Sequence, residues 1–227
     1  MSVKIQSLNL LLSMAYLIEQ NGRTVLVDAG MPGEAEKILR MIKSAGVTHL
    51  DLIFLTHAHI DHCGSAAAIS DATKAPIAIH QADADALAKG ETRLGTVRGR
   101  GKLMKWLFPL IDRIVPTPPT TADIVLEDGQ NLLDHGFDAE VLHTPGHTYG
   151  SSTLLVDEAA FVGDLVTIVR RGSKLQSYYA ESWSMLVPSL EKLVSAGPVL
   201  IYPGHGKRAI RLSEIKALYR EHLEQED

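Results

Sequence analysis

Three imidazoles and a carboxylate fall within six residues of the stretch FLTHAHIDHCG: His57, His59, Asp61 and His62. A turn needs small or polar residues, and nothing about a turn needs three imidazoles. Imidazole is the commonest protein metal ligand, so the spacing points to a metal site. Three further stretches share one grammar, an apolar run, then a turn containing Gly or Pro or both, then a histidine or aspartate. They supply His147 in HTPGHT, Asp164 in FVGD and His205 in YPGHG. Loops at strand ends can carry such groups to one edge of a rigid scaffold. A set of imidazoles and carboxylates with no thiolate suits Zn²⁺, and also Mn²⁺ or Fe²⁺.

Other polar residues are weaker candidates. Asp28 closes the strand-like run TVLVD and reads either as an acceptor behind a ligand imidazole or as a turn cap. His143 precedes His147 by four residues, but the strand runs into the Pro145-Gly146 turn, so that offset does not put both on one face and His143 reads as a packed histidine. His80 ends a strand and is a candidate for the site wall. Cys63 reads as a small buried hydrophobe.

The elements that must position these groups are legible as periodic runs. Leu8–Glu19 and Thr24–Asp28 read as two strands joined at Asn21-Gly22, a strong hairpin turn. Helical spacing of Ile38, Leu39, Met41 and Ile42 predicts a helix over Glu34–Ala45, stopped by Gly46. Asp51–Thr56 reads as a strand buried on both faces. A helix is expected through SAAAIS, a strand at APIAIH and a short helix at QADADALAKG. Strands follow at DIVLEDGQNLL, DAEVLHTPG, SSTLLVD, AAFVGD and PVLIYPG. Helices fill SWSMLVPSLEKLVSAG, where Pro188 starts or kinks the helix, and LSEIKALYREHLEQ. The segment Gly90–Thr121 breaks the pattern: Gly- and Arg-rich, then apolar, then Pro-rich. It reads as an insertion in one α/β domain spanning 1–227. Trp106, Leu107 and Phe108 either line an apolar pocket or pack on the core or a second subunit. Arg98, Arg100, Arg170 and Arg171 are candidates to meet an anionic substrate.

The 227 residues suffice to bury a substantial core. Hydrophobic residues make up 45% and charged residues 22%, an ordinary globular balance, and the net charge of −5 gives no electrostatic case for nucleic acid. A lone cysteine excludes internal disulfides and fits a cytoplasmic protein. The apolar run Leu8–Ile18 is too short to span a bilayer and continues into a hairpin, so no membrane association is expected.

The ordered set H-x-H-x-D-H, a PGHT histidine, a GD aspartate and a PGH histidine resembles the metallo-β-lactamase superfamily of metal-dependent hydrolases. The resemblance runs from TVLVDAG to YPGHGK. It implies a four-layer αββα sandwich with two divalent metal ions, most simply zinc, at one edge. His57, His59 and His147 would hold the first ion, Asp61, His62 and His205 the second, and Asp164 would bridge them. A bridging hydroxide would then attack a carbonyl or phosphoryl centre, with Asp61 as the catalytic residue that orients it. Within that family, true β-lactamases lack the bridging aspartate, and homoserine-lactone lactonases carry tyrosine where this chain has Thr167. Glyoxalase II adds a helical C-terminal region, and few residues follow His205 here. The resemblance thus leaves a small hydrolase of an ester, thioester or lactone, acting on a small molecule; a homodimer is compatible with it. Alternatives are a phosphodiesterase or β-lactamase-like hydrolase, a mononuclear iron dioxygenase of the persulfide type, and a metal-binding module without turnover.

Overall fold

The computed structural model describes residues 3–98, 101–169, 172–176 and 178–223, with backbone alone at 101, 103–105, 111, 169 and 223. Arg100, Arg170 and Arg171 lie outside the described residues. In chain order the elements are β1 (Lys4–Asn9), β2 (Met14–Gln20), β3 (Arg23–Val27), α1 (Ala35–Ser44), β4 (Leu52–Phe54), α2 (Ile60–Cys63), α3 (Ala66–Thr73), β5 (Ile77–His80), α4 (Gln81–Lys89) and β6 (Thr96–Val97). They continue with α5 (Gly101–Ile114), β7 (Ile124–Leu126), β8 (Glu140–His143), β9 (Ser152–Val156), β10 (Ala159–Gly163), β11 (Val166–Val169), β12 (Gly172–Leu175), β13 (Tyr179–Ala180), α6 (Leu186–Ala196), β14 (Leu200–Pro203), β15 (Ile210–Arg211) and α7 (Leu212–Leu223).

Two sheets dominate. One has six strands in the order β1-β2-β3-β4-β5-β7, and the other five in the order β15-β14-β10-β9-β8. Strand alternation explains the layering. On β3 and β4, Val25, Val27, Leu52 and Phe54 face the second sheet, in a buried cluster with Tyr16, Val141, Leu154 and Phe161. Their alternates Leu26, Ile53 and, one residue past β4, Leu55 face the other way, in a cluster with Ile38, Ile42, Ile69 and Leu87 from α1, α3 and α4. A third cluster packs Leu190, Leu193, Ile215 and Leu218 of α6 and α7 against Ala160 and Ile201 of the second sheet. The result is helix, sheet, sheet, helix. This is why β4 reads as a continuous apolar run: both its faces are covered.

The Asn21-Gly22 turn joins β2 to β3, with φ of 54° and 78° at the two residues, as a type I′ hairpin requires. The expected strand Leu8–Glu19 is instead two strands, β1 and β2, separated by a loop over residues 10–13. Pro188 sits in the first turn of α6, where a missing N–H costs nothing. The ribbons β11–β12 and β6–β13 were not anticipated. Within Gly90–Thr121 the chain forms β6 and α5. Trp106 on α5 is 78% exposed, so its indole does not pack on the core.

Candidate metal centre

Every motif residue follows a strand end on the same edge of the sandwich. His57 and His59 lie beyond β4, and Asp61 and His62 are carried by the four-residue helix α2. His147 follows β8, Asp164 follows β10 and His205 follows β14. The parallel pairing of β10 with β14 shifts register between Phe161 and Gly163, a bulge that re-aims the chain just before Asp164.

The seven side chains converge. Ligating atoms of His57, His59 and His147 lie within 4.8 Å of one another, as do those of His57, His62 and Asp164, and those of Asp61, His62 and His205. Asp164 stands between the histidine groups: Oδ2 is 3.4 Å from His147 Nε2 and 3.1 Å from His205 Nε2, and Oδ1 is 3.3 Å from His62 Nε2. Asp61 Oδ2 lies 3.4 Å from His205 Nε2. Gly204 makes room for this; a Cβ there would lie 2.6 Å from His62 Cε1 and 2.7 Å from Asp164 Oδ1.

The outward-facing ring nitrogens are each held. His62 Nδ1 donates to Asp28 Oδ2 at 2.8 Å. His57 Nδ1 meets Thr56 Oγ1 at 3.0 Å, and that hydroxyl in turn reaches Asp28. His205 Nδ1 donates to the Leu12 carbonyl at 2.8 Å, and His147 Nδ1 faces the Tyr179 carbonyl at 3.3 Å with Gln176 Nε2 3.1 Å away. His59 is reversed: its Nε2 faces the Arg93 carbonyl at 3.0 Å, which turns Nδ1 inward. Such partners fix each ring's tautomer and orientation. Asp28 therefore sits behind a ligand candidate and also accepts from the Thr56 N–H at 2.9 Å; its φ of 61° is the left-handed conformation that Asp tolerates.

Charge is divided across the site. Burial, then the neighbouring His62 and His59 rings, hold His57 well below the usual imidazole range, and burial with His59 brings His147 down to about 3. For His62, burial opposes protonation, but Asp28, Asp61 and Asp164 outweigh it and keep the ring's proton well above the usual range. Asp164 raises His205 to about 9 against a smaller effect of burial. Burial alone would push Asp164 up, yet the facing His205, His62 and His147 rings hold it well below the usual carboxylate range. Ligation requires His62 and His205 to give up those protons.

The donor set fits divalent cations. Three buried atoms, His57 Nε2, His62 Nε2 and Asp164 Oδ1, have no hydrogen-bond partner among the described residues. Nearly all buried polar atoms in proteins are satisfied, and inward-facing imidazole and carboxylate atoms are what a cation satisfies. Exposure is uneven: the His57, His62 and His147 side chains are fully enclosed by protein, whereas Asp61 and His205 are 16% and 28% exposed. The open side of the cluster is theirs.

The other candidates resolve plainly. His80 and His143 stack on each other with ring centroids 3.8 Å apart, outside all three groups. Cys63 is buried, as expected. The Arg98 guanidinium lies 4.2 Å over the Trp183 ring. Val97 pairs with Tyr179, whose ring is 5.3 Å from His147, so strand alternation turns Arg98 to the other face of the ribbon. Missed in the sequence were Thr56, Gln176, the Leu12 carbonyl and Asp83. Only Thr56 carried a signal, a polar residue closing the apolar run Leu52–Leu55.

This chain belongs to the metallo-β-lactamase superfamily: the family model matches residues 8–205. At the level of that family it is a metal-dependent hydrolase with the αββα fold. It is similar to the "Probable metallo-hydrolase YqgX" of Bacillus subtilis, 29% identical with 88% of each chain covered. It also resembles the hydroxyacylglutathione hydrolase GloC of Haemophilus influenzae, 27% identical over 80% of this chain and 79% of the relative. Among solved structures, TTHA1623 "in a di-iron-bound form" matches with a TM-score of 0.67, 26% identity and coverage of 94% of this chain and 96% of that one. No helix of the described residues is long and apolar enough to cross a membrane.

Proposed function

We propose that the chain is a dinuclear hydrolase of a small-molecule ester, thioester or lactone. The observation that carries this reading is the pair of ligand groups, His57/His59/His147 and Asp61/His62/His205, with Asp164 between them. Zn²⁺ suits these donors, and Fe²⁺ and Mn²⁺ do as well; a relative solved with two irons supports the dinuclear count. When bound, the cations supply Lewis acidity and bring a water's pKa near neutrality.

The rest is work for the chain's own residues. Asp61, on the open side, keeps a carboxylate oxygen free to orient the attacking water and receive its proton. Asp28, Thr56 and the Leu12 and Arg93 carbonyls hold the imidazoles so that each presents one defined nitrogen. The Tyr179 ring, beside His59 and His147, forms a wall on which the substrate rests.

The thioester branch stays in play because the GloC relative, named for hydrolysing hydroxyacylglutathiones, matches this chain over nearly the same share of both. A short C-terminal region therefore does not set this chain apart from thioesterases. The test combines metal analysis with a panel of esters, thioesters, lactones, phosphodiesters and β-lactams. Two divalent ions per chain and turnover of a carbonyl substrate are expected. One iron per chain, or turnover of phosphodiesters alone, overturns the reading.

A further inference from the structure

Asp83 lies on the first turn of α4, outside every motif, and only 2% of it is exposed. Its carboxylate receives three hydrogen bonds. Oδ2 accepts from the Ala58 N–H at 2.9 Å and from Thr148 Oγ1 at 2.8 Å, and Oδ1 accepts from the Gly150 N–H at 2.8 Å. Ala58 is the residue between His57 and His59, and Thr148 follows His147. Two loops that carry ligand candidates are therefore fastened to one side chain.

The fastening is tight. A Cβ at Gly150 would lie 2.5 Å from Asp83 Cβ, Cγ and Oδ1, so the carboxylate rests directly on that loop's backbone. Thr148 is held in turn by Ser151, whose Oγ accepts from the Thr148 N–H at 3.0 Å. The charge has no Lys or Arg partner among the described residues. It is compensated by the three donors and by the N-terminal end of α4. A buried carboxylate is retained at such a site only where every oxygen is satisfied, and here both are. The His57, His59 and His147 rings sit with centroids 4.5–4.7 Å apart, a spacing that depends on how the two loops are set against each other.

We infer that Asp83 is a positioning residue: its carboxylate ties the His57–His59 loop to the His147 loop and so sets the geometry of the first ligand group. This rests on reading His57, His59 and His147 as ligands of one ion. Among the described residues the second group, Asp61, His62 and His205, makes no hydrogen bond to Asp83; His62 is held by Asp28 and His205 by the Leu12 carbonyl.

Asp83→Asn tests it. The amide keeps the volume but places an NH₂ against at least one of the three donors. Metal-free protein is loaded with Zn²⁺, and the ions are withdrawn by a competing chelator, with His205→Ala marking the phase that belongs to the second group. In Asp83→Asn the other phase should weaken by about 10–100-fold, while the marked phase stays within about 3-fold of the parent. A matching change should appear in the visible spectrum of the Co²⁺-loaded protein. Equal weakening of both phases, or of neither, overturns the inference. If Asp83→Asn does not fold, Thr148→Val, which removes one donor at nearly constant volume, decides by the same criterion. A parent protein that takes up no Zn²⁺ would instead sink the metal-centre reading itself, which is a different result from two normal phases in both proteins.

Discussion

Replacing Gly204 with alanine puts a methyl group where the ligand side chains meet. Its φ is not in the left-handed region, so the backbone itself tolerates alanine. The obstacle is local: the new Cβ would stand 2.6 Å from His62 Cε1 and 2.7 Å from Asp164 Oδ1, where ordinary contact begins near 3.4 Å. Something must give by about 0.8 Å. The Gly204 backbone is pinned, its N–H donating to Gly163 at 2.7 Å and its carbonyl accepting from Met14 at 2.8 Å, so the side chains of His62 and Asp164 are what move. Metal–ligand distances tolerate about 0.2 Å, and misplacing a reacting group by about 1 Å can cost on the order of 100-fold in rate. On the proposed dinuclear reading, Gly204→Ala should therefore lose one of the two metals and at least ~100-fold in hydrolysis, with the fold retained. The assay is metal content, melting temperature and turnover on one preparation. Gly197→Ala is the control: it carries a φ of 72° at the end of α6, and a Cβ there meets only the Ser195 carbonyl at 3.9 Å, so it costs backbone strain of about 1–2 kcal/mol without touching any candidate ligand. Two metals per chain and activity within about threefold of the parent in Gly204→Ala would refute the reasoning.

On the proposed reading Asp61→Ala removes both a ligand and the group that orients water, so it should slow turnover of any active substrate by at least ~100-fold while the melting temperature holds. Trp106→Ala should change stability by no more than about 0.5 kcal/mol, given an exposed indole; a loss of several kcal/mol in a denaturant titration would show that it packs on the core after all. Phe161→Ala, at the centre of the inter-sheet cluster, should cost about 3–5 kcal/mol by the same measurement. His80 gives a pH signature. Burial, then the stacked His143 ring, lowers it to about 4, against smaller opposing effects of Asp83 and Asp128 and a small lowering by Lys192. The unfolded chain binds that proton near pH 6.5, so the contribution is whole above that pH and fades as pH falls towards 4. Unfolding midpoints at pH 7 and pH 4.5 should thus differ less in His80→Asn, which keeps the helix cap, than in the parent.

The residues of the candidate centre were legible because each motif is local: a strand end, a turn and a donor lie within a few residues. The layers were legible for a related reason, since period-two and helical patterns are also short-range. What supports the ligands was not. Asp83 is 25 residues from Ala58 and 65 from Thr148, and Leu12 is 193 from His205. Those pairings depend on where two sheets come to rest, which no window of sequence contains. The loop over residues 10–13 was hidden inside an apolar run that reads as one strand. The side of the ribbon on which Arg98 lies was likewise decided by its register with Tyr178–Ala180.

The Leu12 carbonyl that orients His205 has a bearing on how the molecule comes into being. A hydrogen bond across most of the polypeptide cannot form while the ribosome still holds the later part, nor in an intermediate where only one sheet has closed. The part of the candidate centre around His205 is thus complete only once both sheets and β14 are in place, and on the proposed reading cation uptake there should track completion of the tertiary structure rather than any earlier collapse.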